Sequence, residues 1–494
     1  MAIVKVCGLE TEYGIVVRGV DSNPVTASSL LINSYLADLS SVGFDVESER
    51  PGADARGREL SWEPDPDVDS LLVNAMLTNG ARYYVDHAHP EMSIPEVADA
   101  REAVVWDAAG DAIVRRSMEL ANRVLPDGAE VIIHRNNSDG KGNSYGCHEN
   151  YLVDRAVPFG LVVRGITPHF VTRQVFAGAG KVGSERPGRT TDEVGYQITQ
   201  RADFFEEPVG LETTVKRPIV NTRDEPHCDP ERYRRLHVIV GDANMSEVAT
   251  FLKVASTAIV LAMIEDDAMP ANTELADPVA DIRRVSHDPS LRATVEMADG
   301  RRVRAIEVQW ELLAAATSWA QRHGFDAVGG EEVGALALRE WEQVLTGLDT
   351  DPERVADVVD WVAKRRLVEA YAARHDLRPG SARLRAIDMQ YHDLRPQRCL
   401  AARAGLRRIT TDDEVRAAMT EPPGSTRAYF RGRCLSIFGD AVVAANWDSM
   451  VFDVGSGPLR RVPMNEPLRG TESMVGNVID SSSSAGELLR RIAG

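Results

Sequence analysis

The segment Asn79-Gly-Ala-Arg-Tyr-Tyr-Val-Asp-His-Ala-His-Pro-Glu91 restricts the fold more than any other, because it threads a phenol, a carboxylate and imidazoles through a short run flanked by apolar residues. Read as a β-strand, whose side chains alternate between faces, it puts Tyr84, Asp86 and Ala88 together. Pro90 then ends the strand, and Glu91 follows on a turn from which it can swing back toward that face. An edge strand carrying ordinary surface polar groups is the plain alternative.

Other polar segments lie beside expected strands. Glu10-Thr-Glu12 sets two carboxylates on one face, the hard oxygen pair a divalent cation uses, or else two solvent-facing acids. Residues 3–17 read as a hairpin bending near Gly14. Asn136 to Asn150 is a Gly-rich turn, able to present backbone N–H groups to phosphate oxygens, that leads into Cys-His148-Glu-Asn150. Two more clusters run from Asn221 to His227 and from Arg232 to Asn244. In a strand over 235–239, Arg235 and His237 share a face, pairing a cation with a metal-capable imidazole. Each cluster alone has a structural explanation, but four together in one chain favour a site.

Helical periodicity covers about 99–124, 246–265 and most of 304–376, with Asp351 capping and Pro352 at a first helical position. Strands are expected near 130–135, 195–201, 217–222 and 235–240. Residues 45–70 are rich in Pro, Gly and acids, which predicts a long mobile loop. From about 430 the chain alternates short strands and turns, and Ser481 to Ser484 link to a last short helix. Gly178-Ala-Gly-Lys181 imitates a phosphate loop but has Val182 where a magnesium-binding hydroxyl belongs.

With 494 residues and 43% hydrophobic content, the chain can build one large α/β or α+β domain with a smaller unit appended. No 18-residue run is wholly apolar, so no membrane span is expected. The start, Met-Ala-Ile-Val-Lys-Val-Cys, lacks signal-peptide character, and five scattered cysteines offer no zinc or disulfide spacing. A cytoplasmic protein is the expectation. The net charge of −19 argues against a nucleic-acid partner.

Gly8-Leu-Glu10-Thr-Glu12-Tyr-Gly14, the Asn79 to Glu91 segment, the turn ending at Asn150, Ile219 to His227, Tyr233 to Glu247 and Thr426 to Gly432 resemble, in order, the signature segments of the Pup ligase and Pup deamidase/depupylase family. The resemblance implies an α+β fold: a glutamine synthetase-like antiparallel sheet cradle packed on helices over residues 1–430, with a small C-terminal domain over 431–494. The two branches of that family run opposite reactions. Val85-Asp-His-Ala-His-Pro-Glu91 and the acidic stretch Glu47 to Leu60 are similar to the depupylase form, whereas Glu10-Thr-Glu12 and Gln390-Tyr-His-Asp393 read like the ligase.

The depupylase resemblance implies hydrolysis of the C-terminal glutamine carboxamide of Pup to glutamate, and cleavage of the isopeptide bond joining Pup to a lysine. Pup and pupylated proteins are then the partners, with the proteasomal ATPase connected through shared conjugates. Asp86 is implied as nucleophile or water-activating base. Glu12, Tyr84 and Glu91 are implied as ligands of one Mg2+, and Glu10, His148 and His237 of a second. Asn150, Arg223, Arg235 and Arg431 are implied to bind ATP or ADP, required but not consumed stoichiometrically. The alternatives are an ATP-consuming Pup–protein ligase and a non-catalytic Pup-binding module.

Overall fold

A computed structural model describes all residues except 38, 40, 47–48, 60–72, 187, 189–192, 456 and 494. Its centre is a seven-stranded sheet. The strands that position the site are β1 (Cys7–Glu12), β2 (Gly14–Arg18), β3 (Ser41–Gly43), β4 (Asn74–Leu77), β5 (Arg82–Asp86), β6 (His89–Ser93), β7 (Glu130–His134), β8 (Cys147–Asp154) and β9 (Tyr233–Val238). The sheet order is β9-β8-β1-β6-β5-β4-β3, with every neighbouring pair antiparallel.

The principal helices are α1 (Pro24–Leu36), α2 (Ala100–Val124), α3 (Phe159–Thr172), α4 (Glu247–Glu265), α5 (Ala305–His323), α6 (Gly330–Thr350), α7 (Asp360–His375), α8 (Ala382–Tyr391) and α9 (Ala428–Phe438). In β1, Cys7 and Leu9 join the main apolar core, while Gly8 and Glu10 on the alternate positions are only half-buried. That core holds α4, in which every residue from Val248 to Ile264 is buried. One window of α4 reaches a mean hydropathy of 1.8, enough by length and composition to cross a membrane, yet it is 94% buried inside the protein. The helix is interrupted by Thr250, Lys253, Ser256 and Thr257, so no 18-residue run in it is wholly apolar, and it serves as the central core helix. Ser246 caps α4 by accepting from the Ala249 N–H, and Asp99 caps α2 through the Glu102 N–H.

Several local readings change. The segment 82–91 is a hairpin: β5 stops at Asp86, His87 and Ala88 turn with His87 at φ 53°, and Pro90 lies inside β6 opposite Val85. Pro90 is tolerated because it is the second residue of the returning strand, next to the hairpin turn, where the ladder asks less of its missing N–H. Residues 3–17 form no hairpin. The chain passes straight through Tyr13, and β2 leaves the main sheet to pair with β7 in a separate ribbon. The expected strand at 195–201 shrinks to Tyr196–Gln197. Within the expected loop, Ala53–Asp54 pairs with Arg58–Glu59 and Asp54 bridges to Arg223, so its first part is regular; the remainder falls largely outside the described residues.

The expected boundary at 430/431 falls inside α9, a helix where only strands and turns were expected. Beyond it come β10 (Val442–Ala445), β11 (Ser449–Phe452), β12 (Arg460–Pro463), α10 (Glu472–Asp480) and α11 (Ala485–Ala493). Their apolar core also takes in Phe44 and Met76 from the edge of the main sheet.

Candidate active site

Antiparallel register lays the site out in rows. Tyr84 lies opposite Glu91, and Glu91 opposite Glu12; one step along, Arg82 faces Ser93, Ser93 faces Glu10 and Glu10 faces His148. A third row runs Gly8, Asn150, His237. Directly opposed residues hold their Cβ atoms about 4.5–5.5 Å apart, so residues far apart in sequence converge without any loop having to place them. Asp86 ends the face that Tyr84 begins, two residues further along β5.

Two ligand clusters result. Donor atoms of Glu10, His148 and His237 lie within 4.8 Å of one another, and so do those of Glu12, Asp86 and Glu91. The first is the set expected from the sequence. In the second, Asp86 stands with Glu12 and Glu91, while Tyr84 completes the row beside them, its ring against the Arg82 guanidinium at 4.0 Å. His148 lies between the clusters, with Nδ1 3.4 Å from Glu10 and Nε2 3.8 Å from Glu12. Gly146 makes room for it: a Cβ there would stand 2.1 Å from the His148 Nε2.

The charges suit a cation. Burial works against ionisation of Glu10, but the His148 hydrogen bond and nearby cations outweigh it and hold the carboxyl well below its usual range. Burial drives His237 well below its ordinary value, leaving the neutral imidazole that ligates metal. Burial, then the charges of Asp86, Glu12 and Glu10, push Glu91 well up. Three crowded carboxylates thus hold a proton that a divalent cation would replace. Asp86 is also penalised by burial, yet the hydrogen bond from His87 Nδ1 at 2.9 Å keeps it low, and the same bond lifts His87 to about 9. The Asp86 side chain remains 38% exposed, open to a substrate.

On the β9 side, Asn150 organises the remaining groups. Its Nδ2 donates to Glu10 at 2.8 Å, and its Oδ1 accepts from Arg235 at 2.8 Å and stands 3.2 Å from His237. The buried Arg223 Nε has no partner. A cleft here is lined by Glu10, Asn150, Arg235, His227, Arg427 and Trp447 among others. Arg431 sits behind its wall, fully buried, bonded to Glu96 and to the carbonyls of Gly80 and Trp447. Arg427 donates to Glu96 at 2.7 Å and does reach the cleft. Sequence reading named Arg431 from the Thr426 to Gly432 segment and passed over its neighbour four residues earlier; nothing in the pattern marks Trp447.

Two further cations were missed. Arg201 donates through Nε to Ser144 Oγ at 3.2 Å, and Arg217 to the Ser144 carbonyl at 3.0 Å. Neither has a carboxylate in ion-pair reach among the described residues. Burial and then Arg217 lower Arg201 to about 10, with Glu12 opposing. Two neighbouring guanidiniums with no carboxylate partner, Arg201 buried and Arg217 half-buried, form a place for an anion. The signal available was only the crowding of Arg near short strands. Lys181, in the imitation phosphate loop, pairs with Glu185 and is not free for phosphate.

Known proteins match this arrangement along its whole length. The chain is 49% identical over 507 residues to a depupylase of Acidothermus cellulolyticus, with 99% of each covered. It is 44% identical to the Pup deamidase/depupylase of Mycolicibacterium smegmatis, again over 99% of both. A Pup–protein ligase of Nakamurella multipartita is 38% identical over 83% of this chain and 90% of its own. Among solved structures, the ligase PafA in complex with Pup superposes with a TM-score of 0.81 at 31% identity, covering 99% of this chain and 94% of that one. PafA with ADP gives 0.74 at 32% identity, over 88% and 98%. The α+β expectation, an antiparallel sheet against helices, agrees with these structures. With the profile of the family described as Pup-ligase protein also matching residues 5–451, the chain belongs to that family.

Proposed function

We propose that this protein is a hydrolase of γ-carboxamides carried by Pup: it converts a C-terminal glutamine to glutamate and frees Pup from substrate lysines. Both reactions break the same acyl C–N bond, water supplying the hydroxyl and the nitrogen leaving as ammonia or as a lysine amine. The observation that carries the reading is Asp86, exposed at the end of β5 and bonded to His87, with two ligand clusters beside it. The full-length likeness to depupylases supports this branch.

An amide is a poor electrophile, so its carbonyl oxygen must be polarised while the attacking group is held in line. Asp86 either attacks the acyl carbon, giving an anhydride that water opens, or takes a proton from water; direct attack is favoured because its carboxylate is kept ionised and open. Glu10, His148 and His237 would hold one Mg2+, and Glu12 and Glu91 with Tyr84 or Asp86 a second. The hard carboxylates and neutral imidazole fit such ions, and when bound these supply the electrophilic charge. Asn150, Arg235 and Arg427 would bind adenine nucleotide in the cleft that Trp447 walls, with Arg223, which does not line the cleft, adding positive charge behind Arg235. ADP in the PafA structure supports a nucleotide here. Five unpaired, buried cysteines support a reducing, cytoplasmic setting, where the proteasomal ATPase would meet the same conjugates.

The ligase reading rests on the Pup–protein ligases also matched. Incubation with glutamine-ending Pup and ATP separates the two. Hydrolysis adds about one dalton to Pup with far less than one ADP per product. ADP and product in equal amounts would overturn the proposal.

A further inference from the structure

A second cavity, of about 610 Å3, lies outside the cleft just described, between the β2–β7 ribbon and the end of α8 with the segment after it. Its volume is in the range that holds a ligand or several side chains. Arg18 and His134 line it from the ribbon, and Gln390, Asp393, Arg395 and Arg398 from the opposite wall.

The charges there are unevenly matched. Arg395 donates to both oxygens of Asp393, at 3.0 and 2.6 Å, and to Glu130 at 2.8 Å, so both acids of the cavity are held by one cation, which offsets one of their two charges. Arg18 and Arg398 are exposed, and among the described residues neither guanidinium has a hydrogen-bond or ion-pair partner. The His134 ring, 8% exposed, also lacks a hydrogen-bond partner among them. Burial, against the pull of Asp393, lowers it to about 4, so it enters the cavity as a neutral imidazole with one donor and one acceptor. The lining therefore carries three guanidiniums against two carboxylates, one positive charge in excess, with the unpaired Arg18 and Arg398 and the His134 imidazole as the groups free to meet a carboxylate.

The cavity is tied to the reactive end of the site. His134 pairs with Gly14, and a Cβ on Gly14 would stand 2.5 Å from the Tyr145 hydroxyl. The Tyr145 ring stacks on His89 at 4.4 Å, and His89 is the hairpin partner of Asp86. β1 also continues through Tyr13 into β2, so Arg18 lies six residues past Glu12. Six residues of strand span at most about 20 Å. β1 lines the first cleft over Cys7 to Glu10 and its continuation reaches this cavity at Arg18, so whatever sits here is within reach of a polypeptide whose end lies at Asp86.

We propose that this cavity anchors an acidic side chain of the polypeptide whose γ-carboxamide is hydrolysed at Asp86, about six extended residues or a few helical turns before the reacting glutamine. This inference rests on the hydrolase reading for its chemistry, but the anchoring can be measured apart from it.

The test is binding of fluorescently labelled, glutamine-ending Pup to the full chain and to the Arg18→Ala/Arg398→Ala double variant. Anisotropy should show at least ten-fold weaker binding by the variant, with a shallower salt dependence. In steady state, KM for Pup should rise by the same factor with kcat unchanged, while a peptide of only the last five residues should be turned over equally by both proteins. Arg398→Glu alone should weaken Pup binding further than Arg398→Ala. Pup affinity within two-fold of wild type, or equal losses for Pup and the short peptide, would overturn the inference. So would inorganic phosphate binding to wild type but not to the variant while Pup affinity stays the same, since the cavity would then take a free oxyanion. A wild type that binds Pup and loses affinity in the variant, yet does not deamidate, would leave the anchor standing and remove the hydrolase reading.

Discussion

Replacing Glu96 by Gln should loosen the C-terminal elements in a way that depends on pH. Glu96 receives hydrogen bonds from Arg427 and the fully buried Arg431, and its own side chain is 13% exposed. Burial opposes its charge, but the two guanidiniums outweigh that and hold the carboxyl down to about 2. Against an unfolded value of about 4.3, the difference is roughly 2 pKa units, or about 3 kcal/mol of stability at neutral pH. The folded pKa is depressed, so this contribution is complete above the unfolded value and disappears as pH falls through the folded one. It should be about 3 kcal/mol at pH 7, about 2 kcal/mol near pH 3.5 and small at pH 2. Glutamine keeps the shape and one acceptor but never carries the charge. Urea unfolding of both proteins at several pH values, with hydrogen exchange in α9 as a local readout, gives the difference directly. A wild-type-minus-variant difference that is constant with pH, or below about 1 kcal/mol at pH 7, would refute the assignment of an ionised Glu96 between two arginines.

Asp86→Asn should abolish deamidation and isopeptide cleavage while leaving Pup and nucleotide binding within a few-fold of wild type, because asparagine packs alike but neither attacks a carbonyl nor takes a proton from water. Retention of more than about one hundredth of the single-turnover rate at saturating magnesium, a loss under roughly 2.7 kcal/mol, would show that Asp86 serves the cation instead. Glu10→Ala and His237→Ala should each weaken magnesium-dependent nucleotide binding at least ten-fold, each removing one donor from a three-donor cluster; isothermal titration with and without magnesium checks this, and unchanged affinity in both would place the ion elsewhere.

Much of the site was legible because β-strands convert spacing into direction. Glu10 with Glu12, Arg235 with His237, and Tyr84 with Asp86 each share a face in the structure as alternation requires. Strand register was not legible: that Glu12, Glu91 and Tyr84 form one row depends on which strands pair, which no local pattern contains. The misplaced hairpin at 3–17 has the same origin, since β1 and β2 are adjacent in sequence but belong to different sheets. Helices with caps, such as Asp99 for α2 and Ser246 for α4, were placed to within a residue or two. Arg427, Trp447, Arg201 and Arg217 escaped because their roles come from tertiary neighbours; a lone Arg beside a strand carries no signal until the absence of an acid around it is visible.

The lock between Glu96 and the two arginines at the start of α9, its N-cap Arg427 and Arg431 within it, also bears on how such proteins can be recombined. Because Arg427 and Trp447 wall the cleft proposed to take nucleotide while Glu96 belongs to the segment after β6, an exchange of C-terminal portions between two family members would transplant part of that cleft, not a passive appendage. Chimaeras cut near residue 430 should therefore inherit nucleotide preference from the donor of the tail and reaction type from the donor of the hairpin bearing Asp86, making the two properties separable by breeding sequences that no single lineage need ever have combined.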